Sequence, residues 1–298
     1  MDSKFPSTIT KIQIYNGSFG TRELDSAMLA ILRSVHKKPW KIEITYKLEL
    51  ERDDILYIII CPAGLGLNDV VMPKYYINWQ LEFLIGRYNH PVYLNRLRQA
   101  LDNWDYSKMN ITISSTRDKI NYHHVPPGFI ETITTPDILS GQYVYTDEGK
   151  DIDVLFLGYC EAYPRRIKIR SQFQETGLNI YFPSALDIHG MQQAIRRSKV
   201  CINMAAFDYF ILAQVRMNIL FSNQACVVSE KSADEDDDVL YGEGGMLVVD
   251  YDNIVEQATS LVKDFELRRK TALKSYQWYK QNRRWSDIVD WAELLPEL

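Results

Sequence analysis

The sequence has no long hydrophobic run. Its longest apolar stretches, such as residues 55–63, have the length of a β-strand and are too short to cross a bilayer. The first residues, MDSKFPSTIT, show neither an apolar core nor a small-residue cleavage pattern, so no signal peptide is predicted. We therefore expect a cytoplasmic protein without a transmembrane segment, or one in the host cytoplasm if the chain is encoded by a virus.

Cysteine is also scarce, with 4 residues in a chain of 298, and no two of them form a CxxC pair. This pattern disfavours a zinc site or a disulfide framework and predicts reduced thiols in the core of a cytosolic protein. All of them lie in or beside apolar, strand-like runs: Cys61, Cys160, Cys201 and Cys226.

The chain lacks an excess of positive charge. Its net charge of −5 disfavours a primary role on nucleic acid, so we expect no nucleic-acid partner. No Walker A, HExxH or GxSxG motif is present, and Gly64-Leu-Gly66 lacks the remaining features of a dinucleotide fingerprint. Asp151-Ile-Asp153 precedes an apolar strand, whereas a metal-binding DxD motif follows one. Residues 234–238 are predicted to form a solvated acidic loop.

Strand and helix patterns alternate along the chain, which predicts a parallel, doubly wound sheet. In the first half we predict strands at 11–15, 40–46, 54–61, 111–114 and 122–125, and helices at 23–36, 75–85 and 93–103. In the second half we predict strands at 153–158, 178–182, 200–204, 225–229 and 246–249, and helices at 165–176, 190–198, 212–222, 254–263 and 266–282.

Two α/β series of similar size predict two facing Rossmann-like domains with a deep inter-domain cleft. The expected boundaries are 1–140 for the N-terminal, acceptor-side domain and 150–282 for the C-terminal domain, with a linker near 136–150. Residues 283–298 are expected to form a terminal helix that crosses back to the N-terminal domain. Ligands of open α/β sheets bind beyond the carboxyl ends of the strands, so polar residues that follow strands are the candidate site.

Several weak motifs occur in a consistent order in the second half. They are Val154-Leu-Phe-Leu-Gly158, Arg165-Arg166, Ile195-Arg-Arg-Ser-Lys-Val-Cys-Ile-Asn203, Gln214-Val-Arg216, Ser222-Asn-Gln-Ala-Cys-Val-Val-Ser229-Glu230 and Gly244-Gly-Met-Leu-Val-Val-Asp250. In this order they resemble the donor domain of GT-B glycosyltransferases, over roughly residues 150–282. The first half is similar to the acceptor domains of a subgroup of virus-encoded and microbial sugar transferases.

The resemblance implies an α/β protein of the GT-B fold that transfers a sugar from a UDP- or GDP-sugar to a glycan or another hydroxyl acceptor. It implies no cofactor and no required metal, because fixed arginines and helix amides neutralise the leaving diphosphate. One departure concerns Gln214, because the family often carries a glutamate at this place, where it can bind the ribose. A homodimer remains open.

Candidate donor-binding residues follow from their places after strands. Arg216 is the first candidate for the diphosphate, and an ordinary surface salt bridge is the alternative for it. Arg165 and Arg166, beyond the Gly158 loop, are the next candidates, and at least one of them is expected to contact a phosphate. The predicted donor-binding set is Arg216, Arg165, Arg166, Gly158, Gln214, Asn16, Gly17, Ser18, Phe182 and His189. For the segment 16–20 a plain turn is an equal alternative, and for Phe182 core packing is an equal alternative.

An inverting transferase needs one general base to deprotonate the acceptor hydroxyl. The N-terminal half offers three carboxylates near expected cleft elements, of which at most one is the base: Asp25, Glu82 and Asp105. A second hypothesis is a catalytically inactive GT-B-like binding or assembly module, which the amide at Gln214 favours. A sugar-nucleotide epimerase is a third, for which no set of catalytic groups can be placed.

Overall fold

The computed structural model describes residues 5–17, 23–35, 38–65, 70–84 and 90–295. The chain divides into two compact units. Unit 1 comprises Met1–Pro127 together with Trp285–Leu298, and unit 2 comprises Gly128–Arg284. In the described part of the chain, no helix is both long enough and apolar enough to span a membrane.

Unit 1 is built on a parallel sheet of six described strands. They are β1 (Lys11–Asn16), β2 (Lys41–Thr45), β3 (Ile55–Ile60), β4 (Tyr76–Gln80), β5 (Asp102–Asp105) and β6 (His123–His124). Their order is β2-β1-β3-β4-β5-β6, and every pair is parallel. Strand β2 lies on one side of β1, and β3, which follows β2 in the chain, lies on the other side. The topological switch point of this sheet is therefore between β1 and β3.

Helices cover this sheet because each has a local start signal or an apolar face. Helix α1 (Glu23–Val35) buries Leu24, Met28 and Leu32 at helical spacing. Helix α2 (Pro91–Gln99) begins with a proline after His90, whose side chain caps the Val92 amide. The remaining helices of unit 1 are α3 (Lys108–Arg117), α11 (Trp285–Ile288) and α12 (Trp291–Leu294).

Helices α11 and α12 pack against the sheet of unit 1 through tryptophans. The ring of Trp285 stacks on Trp79 of β4 with centroids 5.0 Å apart, and Trp291 meets Trp104 of β5 edge-on at 5.8 Å. Both pairs are buried. Aromatic pairs of this size dominate local packing, so residues 285–295 are part of the core of unit 1.

Three sequence-based predictions in unit 1 are wrong. Residues 75–85 do not form a helix, because β4 pairs on both sides with neighbouring strands and all five of its side chains are buried. A strand that is buried on both faces has no alternation, and its apolar residues then imitate helical spacing. Residues 93–103 are not one helix either, since α2 ends at Gln99 and β5 begins at Asp102.

The third error concerns residues 111–114, which form part of α3 rather than a strand. The β-branched residues Ile111, Thr112 and Ile113 favour a strand by propensity. However, the Ser107 side chain accepts a hydrogen bond from the Asn110 amide and starts a helix there. The N-terminal cap therefore outweighs the local propensity.

Unit 2 contains a parallel sheet whose five described strands are β7 (Ile152–Leu155), β8 (Ile180–Tyr181), β9 (Ser198–Asn203), β10 (Val227–Glu230) and β11 (Leu247–Val249). Their order is β11-β10-β9-β7-β8. The switch point therefore lies between β7 and β9. The helices are α4 (Pro136–Leu139), α5 (Pro164–Glu175), α6 (Ile188–Arg197), α7 (Gln214–Ser222), α8 (Glu235–Glu243), α9 (Ile254–Lys263) and α10 (Phe265–Asn282).

The strands and helices predicted for residues 153–282 are confirmed, with small shifts at their ends. The predicted acidic loop at 234–238 is wrong, because these residues begin α8. Asp234 caps this helix by accepting from the Asp237 amide, and acidic residues in a first helical turn interact favourably with the helix dipole. The four cysteines are buried, and none of them forms a disulfide within the described part of the chain.

Candidate functional site

The carboxyl ends of β7 and β9 bring polar and glycine residues together at the switch point of unit 2. Gly158 lies three residues beyond the end of β7, and Asn203 is the last residue of β9. Strands β7 and β9 are paired neighbours, with Leu155 opposite Cys201. In open α/β sheets this crevice is where ligands bind, so it is the candidate site of unit 2.

Arg216 extends from the first turn of α7 into this crevice. Its Nε donates to the Leu157 carbonyl at 2.6 Å, and its Nη1 donates to the Asn203 side-chain oxygen. Its guanidinium carbon lies 5.0 Å from the centre of the Phe156 ring. The side chain is half-buried. One strand end on each side of the switch point thus holds the guanidinium, and these two acceptors are neutral oxygens.

Gly158 is the residue that allows this close approach. A Cβ at position 158 would lie 2.7 Å from Cζ of Phe156 and 3.0 Å from Nη2 of Arg216. A side chain at position 158 would therefore force the Phe156 ring or the Arg216 guanidinium to move. The predicted donor residues Gly158 and Arg216 are therefore direct neighbours in the structure.

Arg165 and Arg166 begin α5 at the same edge but point to different partners. Arg166 is buried and donates to the carbonyls of Tyr159 at 2.7 Å and Met204 at 3.3 Å. Burial lowers the pKa of its guanidinium, although an arginine starts so high that it keeps its charge. Its contacts tie the loop after β7 to the end of β9.

Arg165 is held by carboxylates. It forms an ion pair with the buried Glu230 at the end of β10, and its Nε lies 2.8 Å from Oδ1 of Asp208. The guanidinium also lies 4.1 Å over the ring of Tyr251. Glu230 in turn accepts from the Ala205 amide at 2.9 Å. Arg165 is thus held by carboxylates, whereas the Leu157 carbonyl and the Asn203 amide oxygen that hold Arg216 are neutral acceptors.

Gln214 begins α7 and is almost fully buried. Its side-chain nitrogen donates to Asp237 of α8 at 2.7 Å, while its Oε1 has no hydrogen-bond partner among the described residues. Burial and the nearby charge of Asp234 raise the pKa of Asp237 to about 7. The resemblance implies a ribose contact at this position. Here the position carries the Gln214 amide, which is hydrogen-bonded to the carboxyl group of Asp237.

Two further predicted donor residues lie elsewhere in unit 2. Phe182 follows β8 and packs against Phe156 and Phe173, with ring centroids 5.6 and 6.4 Å apart. His189 lies in the first turn of α6, where it is exposed and bonds Gln193 at 2.8 Å. A stacking or nucleotide role for either residue stays a prediction.

The corresponding edge of unit 1 carries Asn16 and Gly17. The Asn16 side chain, at the end of β1, donates to Oδ1 of Asp25 at 2.6 Å, and the Gly17 amide donates to the carbonyl of Ile60 at 2.9 Å. Asp25, in the first turn of α1, is buried. Ser18 lies outside the described residues. The segment thus joins the ends of β1 and β3 at the switch point of this sheet.

Glu82 and Asp105 are linked by one amide. The Asn110 side chain donates to the Glu82 carbonyl at 2.8 Å and to both carboxyl oxygens of Asp105 at 3.2 Å. Asp105 is fully buried, and burial raises the pKa of its carboxyl group well above the ordinary value. Glu82 is half-buried, with Cys61 Sγ 3.9 Å from its Oε1. The two candidate bases therefore differ in their access to solvent.

Sequence reasoning missed the groups that fix these side chains. Asn203 and Glu230 each end an apolar strand, and a polar residue at that place was the available signal. Asn110 directly precedes the segment 111–114 that was predicted as a strand, and Asp237 lies in the segment 234–238 that was predicted as a loop. Their roles depend on the register of neighbouring elements, which a single sequence does not display.

Comparison with known proteins gives no match in sequence. No protein-family model matches the chain, and no curated protein does. Similarity appears only when folded structures are compared.

The structure is similar to HepE from Anabaena, solved in complex with UDP and glucose, with a TM-score of 0.63 and 11% identity over 97% of this chain and 100% of that one. It is similar to a sucrose-phosphate synthase from Thermosynechococcus elongatus, with a TM-score of 0.61 and 11% identity over 94% and 96%. It is also similar to an α-glucosyltransferase solved with UDP and a 13-mer DNA, with a TM-score of 0.58 and 10% identity over 92% of this chain and 95% of that one. The chain has the GT-B fold of these glycosyltransferases.

Proposed function

We propose that the protein is a glycosyltransferase that moves a sugar from a UDP- or GDP-sugar to a hydroxyl acceptor. The observation that carries the proposal is the position of Arg216. Its guanidinium is fixed between the carboxyl ends of β7 and β9, directly beside the glycine at position 158. A positive group at a switch point, next to a backbone without a side chain, suits a ligand that carries a diphosphate.

The chemistry follows from the charge of the leaving group. When the sugar–phosphate bond breaks, negative charge grows on the nucleoside diphosphate. Arg216 stabilises that charge by bidentate hydrogen bonding, and the positive end of the α7 dipole adds to the effect because Arg216 lies in the first turn of this helix. The solved structures of similar fold that contain UDP or UDP-glucose support this choice of donor.

In unit 1 we assign the general base to Glu82 rather than to Asp25 or Asp105. Glu82 has the most solvent access of the three. Its carbonyl accepts from Gln80 and Asn110, each at 2.8 Å, which fixes the backbone from which the carboxylate extends. A base must reach a substrate proton, and a fully buried group is unable to do so without rearrangement.

We also propose that no metal is required, because the guanidinium supplies the positive charge. One similar structure, of T4 phage BGT, contains UDP together with Mn²⁺, so the point needs its own test. We expect UDP to bind with the same affinity in EDTA and in Mn²⁺. An affinity that depends strongly on Mn²⁺ would contradict this part of the proposal.

Calorimetry with UDP, GDP and their glucose conjugates tests the donor site. We expect Arg216→Ala to weaken diphosphate binding by about 1.5–3 kcal/mol, the value of a charged hydrogen bond. Arg197→Ala is the matched control, since this exposed arginine of unit 2 forms an ion pair with Asp151. If the folded protein binds none of these ligands, the proposal fails; if Arg216→Ala binds as well as the parent, Arg216 is not in the site.

A nucleotide-binding module without catalysis is the second candidate, and the buried amide of Gln214 is the observation that favours it. Hydrolysis of the donor separates the two functions, because an active transferase passes sugar to water at a slow rate. UDP binding without any release of sugar from UDP- or GDP-sugars would favour the inactive module.

A further inference from the structure

Unit 2 exposes a row of aromatic side chains near the candidate donor site. We define the aromatic platform as Tyr159, Tyr163 and Phe207. The Tyr163 ring lies between the other two, at centroid distances of 6.3 Å to Tyr159 and 5.6 Å to Phe207, and both pairs meet edge to face. Tyr159 is 48% exposed and Phe207 is 60% exposed. Tyr159 and Phe207 are thus open to solvent, and the half-buried Tyr163 ring connects them.

The platform lies at the switch point, because its outer members come from the loops after β7 and β9. Tyr159 directly follows Gly158, so their Cα atoms are about 3.8 Å apart across a trans peptide bond. Phe207 lies four residues after Asn203, the last residue of β9. A molecule on the platform is therefore adjacent to the place proposed for the donor.

Two arginines hold the backbone of the platform in place. Arg166 donates to the Tyr159 carbonyl at 2.7 Å, and Arg165 donates to the Phe207 carbonyl at 3.2 Å. The guanidinium of Arg166 also lies 5.0 Å from the centre of the Tyr163 ring. Exposed aromatic rings on a fixed backbone lose little conformational freedom on binding, which is a property of recognition surfaces.

Two arginines that border the platform are paired with carboxylates, and a third, Arg166, is buried and donates to backbone carbonyls. Arg165 contacts Asp208, whose side chain is 95% exposed, and Arg170 forms an ion pair with Glu161. Because each of these cations already faces a carboxylate, the patch offers little to a phosphate backbone, whose binding depends on unpaired basic groups. An exposed carboxylate next to aromatic faces suits a neutral ligand with many hydroxyl groups, since carboxylate oxygens accept hydrogen bonds from them.

We propose that the aromatic platform binds a sugar ring of a neutral glycan that serves as the acceptor. The C–H face of a pyranose ring carries partial positive charge and stacks on the negative face of an aromatic ring. Asp208 accepts hydrogen bonds from the hydroxyl groups at the edge of that sugar. The proposal rests on the proposed transferase function, because the adjacent donor site is what makes the bound glycan an acceptor.

The test uses saturation-transfer NMR and calorimetry with maltoheptaose, cellohexaose and chitohexaose as neutral probes, a short duplex DNA as the charged probe, and UDP as the donor probe. We expect at least one neutral oligosaccharide to bind the wild-type protein. Phe207→Ala and Tyr159→Ala should each weaken that binding about tenfold. Tyr159→Phe should retain it, because the stacking face remains.

Leu267→Ala is the matched control, since it removes another exposed apolar side chain of unit 2, on α10. If none of the neutral oligosaccharides binds while UDP does, the inference is overturned and the proposed function stands. DNA binding that is lost in Phe207→Ala overturns it in favour of a nucleic-acid acceptor. If UDP fails to bind but an oligosaccharide binds through Phe207, the result supports the sugar-binding surface and contradicts the proposed transferase function.

Discussion

The switch point of unit 2 and the carboxyl ends of β4 and β5 in unit 1 carry opposite chemistry. In unit 2, Arg216 is held at the switch point by the Leu157 carbonyl and the Asn203 amide oxygen, both neutral acceptors. In unit 1, the ends of β4 and β5 carry Glu82 and Asp105, which the Asn110 amide connects. One edge presents a fixed cation, and the other presents carboxyl groups in an amide network.

The difference shows how burial acts on the two kinds of charge. An arginine keeps its proton even when half-buried, because its pKa starts far above neutrality. A carboxyl group does not keep its charge in the same way, and burial raises the pKa of Asp105 well above its usual range. A buried edge can thus hold a stable cation for an anionic ligand, whereas a base has to come from a less buried carboxylate such as Glu82.

The largest expected effect concerns this assignment of the base. Glu82→Gln keeps the shape of the side chain but removes its ability to take a proton. We expect the rate of UDP-sugar hydrolysis to fall about 10²–10⁴-fold, the usual contribution of a general base, while UDP affinity stays the same. Glu51→Gln, at an exposed position of unit 1, is the control. An unchanged rate in Glu82→Gln would remove Glu82 from the mechanism.

The next effect is on stability and tests whether Asp105 acts as a neutral acceptor. Asp105→Ala leaves the Ser107 amide and the Asn110 side chain without their buried acceptor, so we expect a loss of about 3 kcal/mol in the free energy of unfolding. Asp105→Asn keeps one acceptor oxygen and should cost less than about 1 kcal/mol. Urea denaturation measures both. Equal losses in the two variants would mean that the charge of Asp105, and not its acceptor geometry, matters.

The two units also differ in how well their sequences predict them. In unit 2 the strands are short, the helices have clear ends, and the predicted order of elements is correct except for α8, which was predicted as a loop. In unit 1 the strand Tyr76–Gln80 is buried on every residue, so its pattern lacks the alternation that marks a strand. The segment 111–114 carries strand-forming residues but belongs to a helix that the cap at Ser107 starts. Burial on both faces and capping both depend on neighbours that sequence periodicity does not report.

The candidate site shows the same limit. Gly158 and Arg216 could be chosen from the sequence because each occupies a recognisable place after a strand or at a helix start. The partners that fix Arg216 could not be chosen, since Leu157 acts through its backbone carbonyl and Asn203 through the pairing of β7 with β9. The aromatic platform is likewise invisible in sequence, because its rings come from two loops and the start of α5.

Gly158→Ala gives a smaller effect and tests the close packing around the cation. The added Cβ would meet Phe156 at 2.7 Å and Arg216 at 3.0 Å, so one of the two side chains has to move. We expect UDP to bind about tenfold more weakly, because the guanidinium loses its fixed position. Gly242→Ala is the matched control, since a Cβ there meets no atom within 4 Å. Equal UDP affinity in the two variants would show that the position of Arg216 is not set by Gly158.

The smallest expected effect comes from Asp237, an acidic group that Gln214 connects to the start of α7 and whose pKa is raised to about 7. Burial is the main cause that raises its pKa to about 7; Asp234 and Asp238 add to the rise, while Gln214 and Arg283 oppose it. The folded state therefore binds this proton more tightly than the unfolded state, where the pKa is near 3.8. Stability from this group is complete below about pH 4 and is lost as the pH rises towards and through about 7.

Asp237→Asn removes this dependence, because the amide oxygen still accepts from Gln214 but carries no proton to lose. We expect the variant to match the wild type in stability at about pH 4 and to be more stable by about 1 kcal/mol at about pH 8. The expected gain is smaller than the full pKa shift would give, because the carboxyl group is only half-buried and solvent screens its charge. Asp236→Asn, at an exposed position of the same helical turn, should not produce this pH-dependent difference. Urea denaturation at both pH values is the measurement. If Asp237→Asn is less stable than the wild type at the higher pH, the ionised carboxylate is favoured by its surroundings, and the positive character of this edge extends as far as α8.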